Sequence, residues 1–191
     1  MSHAADLNEK YIWLLKEAKW GQLSVQEIAE VAAELQKERP ETFRYSLLHI
    51  LGKAGDTSYR SLVEQFLECR EEPMLSKMAL RTLCTYWSFT DEYRDTILRF
   101  VRGVSWDDDQ DVRRVAIQIA GEYLIDHSDT EMLRELLSIY EDPQENKSMR
   151  DWTYQALSRA MGRDFRQILI TNKRDPTVFI EAKNRLAQES E

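Results

Sequence analysis

At 191 residues, with 42% hydrophobic and 31% charged side chains, the chain is long enough to bury a core without disulfides or metals, too apolar for disorder and too charged for a membrane protein. Its formal charge of −8 gathers in the middle, where residues 61 to 130 hold 14 acidic and 8 basic groups, and none of the segments 1–60, 61–130 and 131–191 is net positive. This balance disfavours nucleic acid, whose phosphates demand a basic stripe, and favours a protein partner, a basic one in particular.

Taken in chain order, Asp6 with Glu9 heads an N-terminal helix carrying Leu7, Tyr11, Leu14 and Ala18, expected over residues 6–20 as a cap on the rest of the chain. Ser24 with Glu27 forms a capping box that opens the next helix, and Ser128 with Glu131 forms another further along. Cys69 and Cys84 fall inside expected helices rather than at metal-ligand spacing, which suits free buried thiols in a reducing compartment. Runs with strand-like period are nearly absent; the best, Ile168 to Thr171, reads as a continuing helix. With no leader-like opening and no long apolar stretch, a cytoplasmic protein is expected.

Between these landmarks one helical segment recurs, beginning at Phe43, Leu75, Val112, Met149 and Val178. Four residues on stand Leu47, Ala79, Ala116, Thr153 and Ala182, and eight residues on Leu51, Leu83, Ala120, Leu157 and Leu186. Offsets of zero, four and eight share one helix face, so each segment presents the same stripe to a core. Pro40, Pro73, Pro143 and Pro176 each precede one of these helices, where proline is tolerated. The third instead follows Gly103 and the acidic run Asp107, Asp108, Asp109 and Asp111, whose carboxylates suit a helix N-terminus. Gly52 and Gly121 occupy the same offset, consistent with a close approach between helices.

The string from Asp111-Val112-Arg113 through Ala120-Gly121 resembles the second helix of a HEAT repeat; Phe43-Arg44 through Leu51-Gly52 and Met149-Arg150 through Leu157-Ser158 are similar. The resemblance implies an all-α fold: an α-α superhelix, or solenoid, of about five HEAT-like helix pairs with an N-terminal capping helix. Its repeats would span approximately 24–56, 57–89, 90–127, 128–162 and 163–191, forming a single domain over residues 1–191. In that family the second helices line a concave face, which would here bear Tyr45, His49 and Lys53, then Lys77 and Arg81, then Arg114, Gln118 and Glu122, then Asp151, Gln155 and Arg159. The function implied is a protein-binding adaptor or inhibitor, a toxin-neutralising immunity protein being one small acidic version, with no cofactor.

The acidic turn at Asp107, Asp108, Asp109 and Asp111 lacks the glycine and the distant glutamate of a calcium loop, and N-capping accounts for it, with the grip of a basic partner as the functional alternative. Among five tryptophans, Trp87 and Trp106 are candidates for exposed anchors. His3, His49 and His127 have no metal-binding spacing. Catalysis is therefore not expected. The enzymatic alternative is a HEAT-like DNA glycosylase, for which Trp87 and Asp91 at helical spacing imitate part of a site without the basic groove around it.

Overall fold

The computed structural model describes residues 3–164 and 175–188, with side chains from residue 9 onward. Among these residues every regular element is helical. The chain forms two compact units, Met1–Phe89 and Thr90–Glu191, dividing where the second and third periods meet. Ile168 to Thr171, and with them most of the first helix expected for the fifth period, lie outside the described residues.

In the first unit α1 (His3–Lys19), α2 (Val25–Leu35), α3 (Glu41–Ala54), the short α4 (Arg60–Glu64) and α5 (Pro73–Arg81) follow one another, and α5 runs into a π-helical turn over Thr82–Tyr86. Helix α1 begins before Asp6, so Asp6 does not head it. Ser24 and Glu27 make the expected capping box on α2: the serine side chain accepts from the Glu27 amide while the Glu27 carboxylate accepts from the Ser24 amide. Pro40 is the N-cap of α3 and Pro73 opens α5.

Helix α3 packs against α1, α2 and α5. Tyr11 of α1 meets Phe43 edge to face, with ring centroids 4.7 Å apart. The Met74 amide donates to the Glu41 carboxylate at 3.2 Å, and Arg44 pairs with Glu72 just ahead of α5. At its other end α3 brings Gly52 against Thr82 and Tyr86. Starts meet starts and ends meet ends, so α3 and α5 run side by side in the same direction. Leu47, Leu51, Leu75, Ala79 and Leu83 of the repeated stripe are all buried between them and their neighbours. Each large apolar side chain so placed contributes on the order of 1.5–3 kcal/mol.

The second unit holds α6 (Arg94–Arg102), α7 (Asp111–Asp126), α8 (Thr130–Glu141), α9 (Lys147–Ala160) and α10 (Pro176–Gln188). Val112, Ala116, Ala120, Met149, Thr153, Leu157, Val178 and Ala182 are buried, so the stripe continues here. Helices α7 and α9 also lie alongside one another in the same direction. Asn146 donates to Gln110 at 3.1 Å near their starts, Gly121 meets Ala156 midway, and Glu122 pairs with Arg159 beyond that. Arg113 pairs with Glu145 at 2.8 Å, repeating the Arg44 and Glu72 arrangement one unit on. Arg185 of α10 donates to the carbonyls of Leu124 and His127, placing a cation at the C-terminal end of α7 where the helix dipole favours one.

One cap differs from its expected form. Helix α8 is capped by Asp129, which accepts from the Met132 amide at 2.9 Å, and Ser128 lies exposed ahead of it. The aspartate prevails because its two oxygens serve the helix end and the Arg94 guanidinium together, and its charge suits the N-terminal dipole.

Candidate partner-binding surface

The ladder read from the sequence splits between the units and differs between them in chemistry. On α7 and α9 its charges are neutralised internally. Arg114 pairs with Asp111 and lies 5.7 Å from the ring centre of Trp152, while Glu122 pairs with Arg159. Gln118, Asp151 and Gln155 are half-buried beside them. These residues knit α7 to α9 as much as they face outward.

On α3 and α5 the arrangement is different. Tyr45, His49, Lys53 and Arg81 are half-buried, but Lys77 is buried at 8% exposure, so it does not belong to an open face. The cause is that every residue of α5 from Leu75 to Leu80 is enclosed; Ser76 donates to the Leu67 carbonyl, showing the preceding segment folded over this helix. The Lys77 amine reaches back to the Met74 sulfur at 3.6 Å.

His49 and Lys53 surround the ring of Tyr86. The imidazole stacks on it with centroids 6.0 Å apart, and the Lys53 ammonium sits 3.8 Å from its centre. Gly52 makes room for that ring, since a Cβ there would stand 2.5 Å from it. The π-helical turn adds one residue to the helical register and aims Tyr86 at this point. Burial, and then Lys53, Lys19 and Arg81, push the His49 imidazole below its ordinary pKa. Burial, Lys19 and Arg81 likewise lower that of Lys53. Among the described residues the charges that act on these two groups are those of cations.

The acidic turn divides by role. Asp107 is buried, and its carboxylate accepts from the amides of Asp111 and Arg113 at 3.0 and 2.9 Å, holding the start of α7. It is not available to grip a partner. Asp108 and Asp109 are exposed, and Asp111 is engaged with Arg114.

The tryptophans expected as anchors are packed instead. Trp87 is buried at 6% exposure, and Trp106 is half-buried with its ring edge-on to Phe100, centroids 5.9 Å apart. Trp87 ends the π-helical turn and Ser88 follows with a left-handed φ of 61°, so Trp87 and Asp91 do not share a helix. Asp91 pairs with His127 at 3.1 Å. The helical spacing read for Trp87 and Asp91 is therefore not present.

Exposed large apolar side chains lie elsewhere. Ile12, Trp13 and Trp20 are 64%, 48% and 72% exposed, on the outward side and at the C-terminal end of α1. The signal was present in the sequence: once Tyr11, Leu14 and Ala18 define the inner face of α1, residues 12, 13 and 16 turn outward. Lys16 and Lys19 are exposed among these apolar side chains.

Burial pushes the Cys84 thiol up to about 12 and raises that of Cys69, so both are held as thiols rather than reactive thiolates. Among the described residues no cluster of histidine, cysteine or carboxylate side chains is arranged to hold a metal, and no helix is long and apolar enough to cross a membrane. No family model matches the sequence, and comparison with the curated proteins and the solved structures found no match.

Proposed function

We propose that this chain is a HEAT-like helical-repeat module that works by holding a protein partner, as an adaptor or an inhibitor, rather than by catalysis. The repeated helices, starting at Glu41, Pro73, Asp111, Lys147 and Pro176, support the repeat reading because they keep the period read from the residues. The observation that carries the binding reading is the exposure of Ile12 and Trp13 on α1, whose other face is packed, and of Trp20 in the turn just after it. Large apolar side chains gathered on a surface are costly in water, and tryptophan is the residue that most often anchors a protein interface.

The test is capture of partners from the native host by the wild-type chain and by a Trp13→Ser/Trp20→Ser variant of matched helical content, with hydrogen exchange on the captured complex. The reading expects a partner that the variant loses and that protects α1 from exchange. A partner retained by the variant, with α1 unprotected, overturns it.

A further inference from the structure

In a chain where acid exceeds base by eight charges, arginines are generally found opposite carboxylates: Arg39, Arg44, Arg94, Arg102, Arg113 and Arg159 all are. Lys16, Lys19 and Lys53 depart from this pattern. None has an ion pair among the described residues, and Lys19 and Lys53 act on one another together with Arg81 across His49. Part of the reason is the dipole of the helix ends, since Lys16 and Lys19 lie in the last turn of α1 and Lys53 in that of α3. That effect supplies about 0.3–1 kcal/mol per cation and is satisfied by any orientation near the helix end. It does not explain why Lys53 stands 3.8 Å from the centre of the half-buried Tyr86 ring and His49 stacks on that ring, while the charges that reach them from α1 and α5, those of Lys19 and Arg81, are both cations.

We propose that the exposed face of α1 and the cluster of Lys19, His49 and Lys53 form one docking surface for an acidic amphipathic segment of the partner protein. The proposal rests on the protein-binding reading and specifies its chemistry. The segment's apolar side chains cover Ile12, Trp13 and Trp20, and its carboxylates meet the cluster that begins at Lys19, the residue adjoining Trp20. Charge complementarity selects an acidic occupant over a basic one. A side chain reaches the cluster where a flat anionic membrane does not, because His49, Lys53 and Tyr86 are half-buried, and the net charge of the chain opposes such a membrane.

The whole chain is titrated with three probes: a helical peptide of glutamates with leucines at helical spacing, the same peptide with lysines replacing the glutamates, and vesicles of equimolar phosphatidylcholine and phosphatidylserine. Tryptophan emission, compared with that of a Trp13→Phe/Trp20→Phe variant, isolates the response of Trp13 and Trp20, and imidazole NMR follows His49. The acidic peptide is expected to shift the emission to the blue, to weaken with salt, and to raise the His49 pKa toward its ordinary value by neutralising its cationic neighbours. Lys19→Glu/Lys53→Glu is expected to lower that affinity at least about tenfold. Lys19→Gln/Lys53→Gln serves the same purpose should the reversed pair disturb folding. Equal or tighter binding of the lysine peptide, no binding of either peptide, an unchanged affinity in the lysine variants, or a response to vesicles alone each overturns the proposal. These arms leave the host-partner capture untouched, so the wrong charge preference is distinguishable from the absence of a protein partner.

Discussion

A Cβ on residue 121 would stand 2.6 Å from the Cα of Ala156, so Gly121 is where the backbones of α7 and α9 come closest to needing a hydrogen rather than a methyl group. Backbone cannot step aside as a side chain can. Alanine is favoured over glycine by about 1 kcal/mol in a helix, but overpacking a tight contact costs about 1–3 kcal/mol and generally more when backbone must move. Gly121→Ala is expected to destabilise the second unit by about 1–2 kcal/mol in urea unfolding. A neutral or stabilised variant would contradict the close approach. Gly52→Ala meets the Tyr86 ring and the buried Thr82 hydroxyl rather than backbone, so its main expected effect is displacement of Tyr86 and of the cations around it.

Asp107, Asp108 and Asp109 are neighbours in sequence and unlike in energy. Asp107→Ala removes two amide partners at the start of α7 and is expected to cost about 1–2 kcal/mol. Asp108→Ala and Asp109→Ala, at exposed positions, are expected to stay within about 0.5 kcal/mol of the parent. Thermal or denaturant unfolding of the three variants distinguishes the cap from its neighbours; equal losses would mean that the turn acts as one charge cluster.

Arg94 binds Asp129 at 2.7 and 2.9 Å and Glu131 at 2.7 Å, and Arg102 adds bonds to Glu131 and Glu135 at 2.8 Å. Hydrogen bonds from Arg94, first of all, hold the carboxyls of Asp129 and Glu131 below their ordinary values of 3.8 and 4.5. A carboxyl whose folded pKa is depressed contributes stability that is complete above its unfolded value and is lost as pH falls through the folded one. Stability is thus expected to decline from about pH 4 downward, and Arg94→Met to show a shallower decline over the same range. An unaltered acid limb in that variant would assign the decline to other carboxylates.

Thiol chemistry offers a reading of the interior of the first unit. Cys84 is buried with its pKa pushed up to about 12, so at mildly alkaline pH it holds almost no thiolate and is closed to reagents. Iodoacetamide is expected to modify half-buried Cys69 slowly and Cys84 only after urea is added, as mass spectrometry of the labelled chain would resolve. Modification of Cys84 in the native protein at the rate of a free thiol would place it outside the core.

Periodicity made the repeated helices legible because a stripe at offsets zero, four and eight is a local property: thirteen of its fifteen residues are buried, and only Phe43 and Leu186 are half-buried. Pro40, Pro73 and Pro176 marked starts for the same reason. Lys77 was misplaced because exposure was assigned from helical angle alone, while the burial of α5 on its remaining sides comes from the chain around Leu67, nine residues from Ser76. The Ser128 box failed because Arg94, 35 residues away from Asp129, favours the aspartate. Tyr86 escaped notice because a π-helical turn breaks the period on which the reading depended. Trp13 and Trp20 were countable as tryptophans, but their exposure depends on which face of α1 meets α3.

The arginine that opens a repeated helix and the acid ahead of the next, Arg44 with Glu72 and Arg113 with Glu145, lie within one period of each other. Bonds of that reach close short loops, and short loops close quickly and at low entropic cost. Arg44 and Glu72 both belong to the first ninety residues, so nothing in that contact has to wait for the rest of the chain to leave the ribosome. Synthesis itself can therefore set the order of assembly, the N-terminal unit taking shape while its successor is still being made.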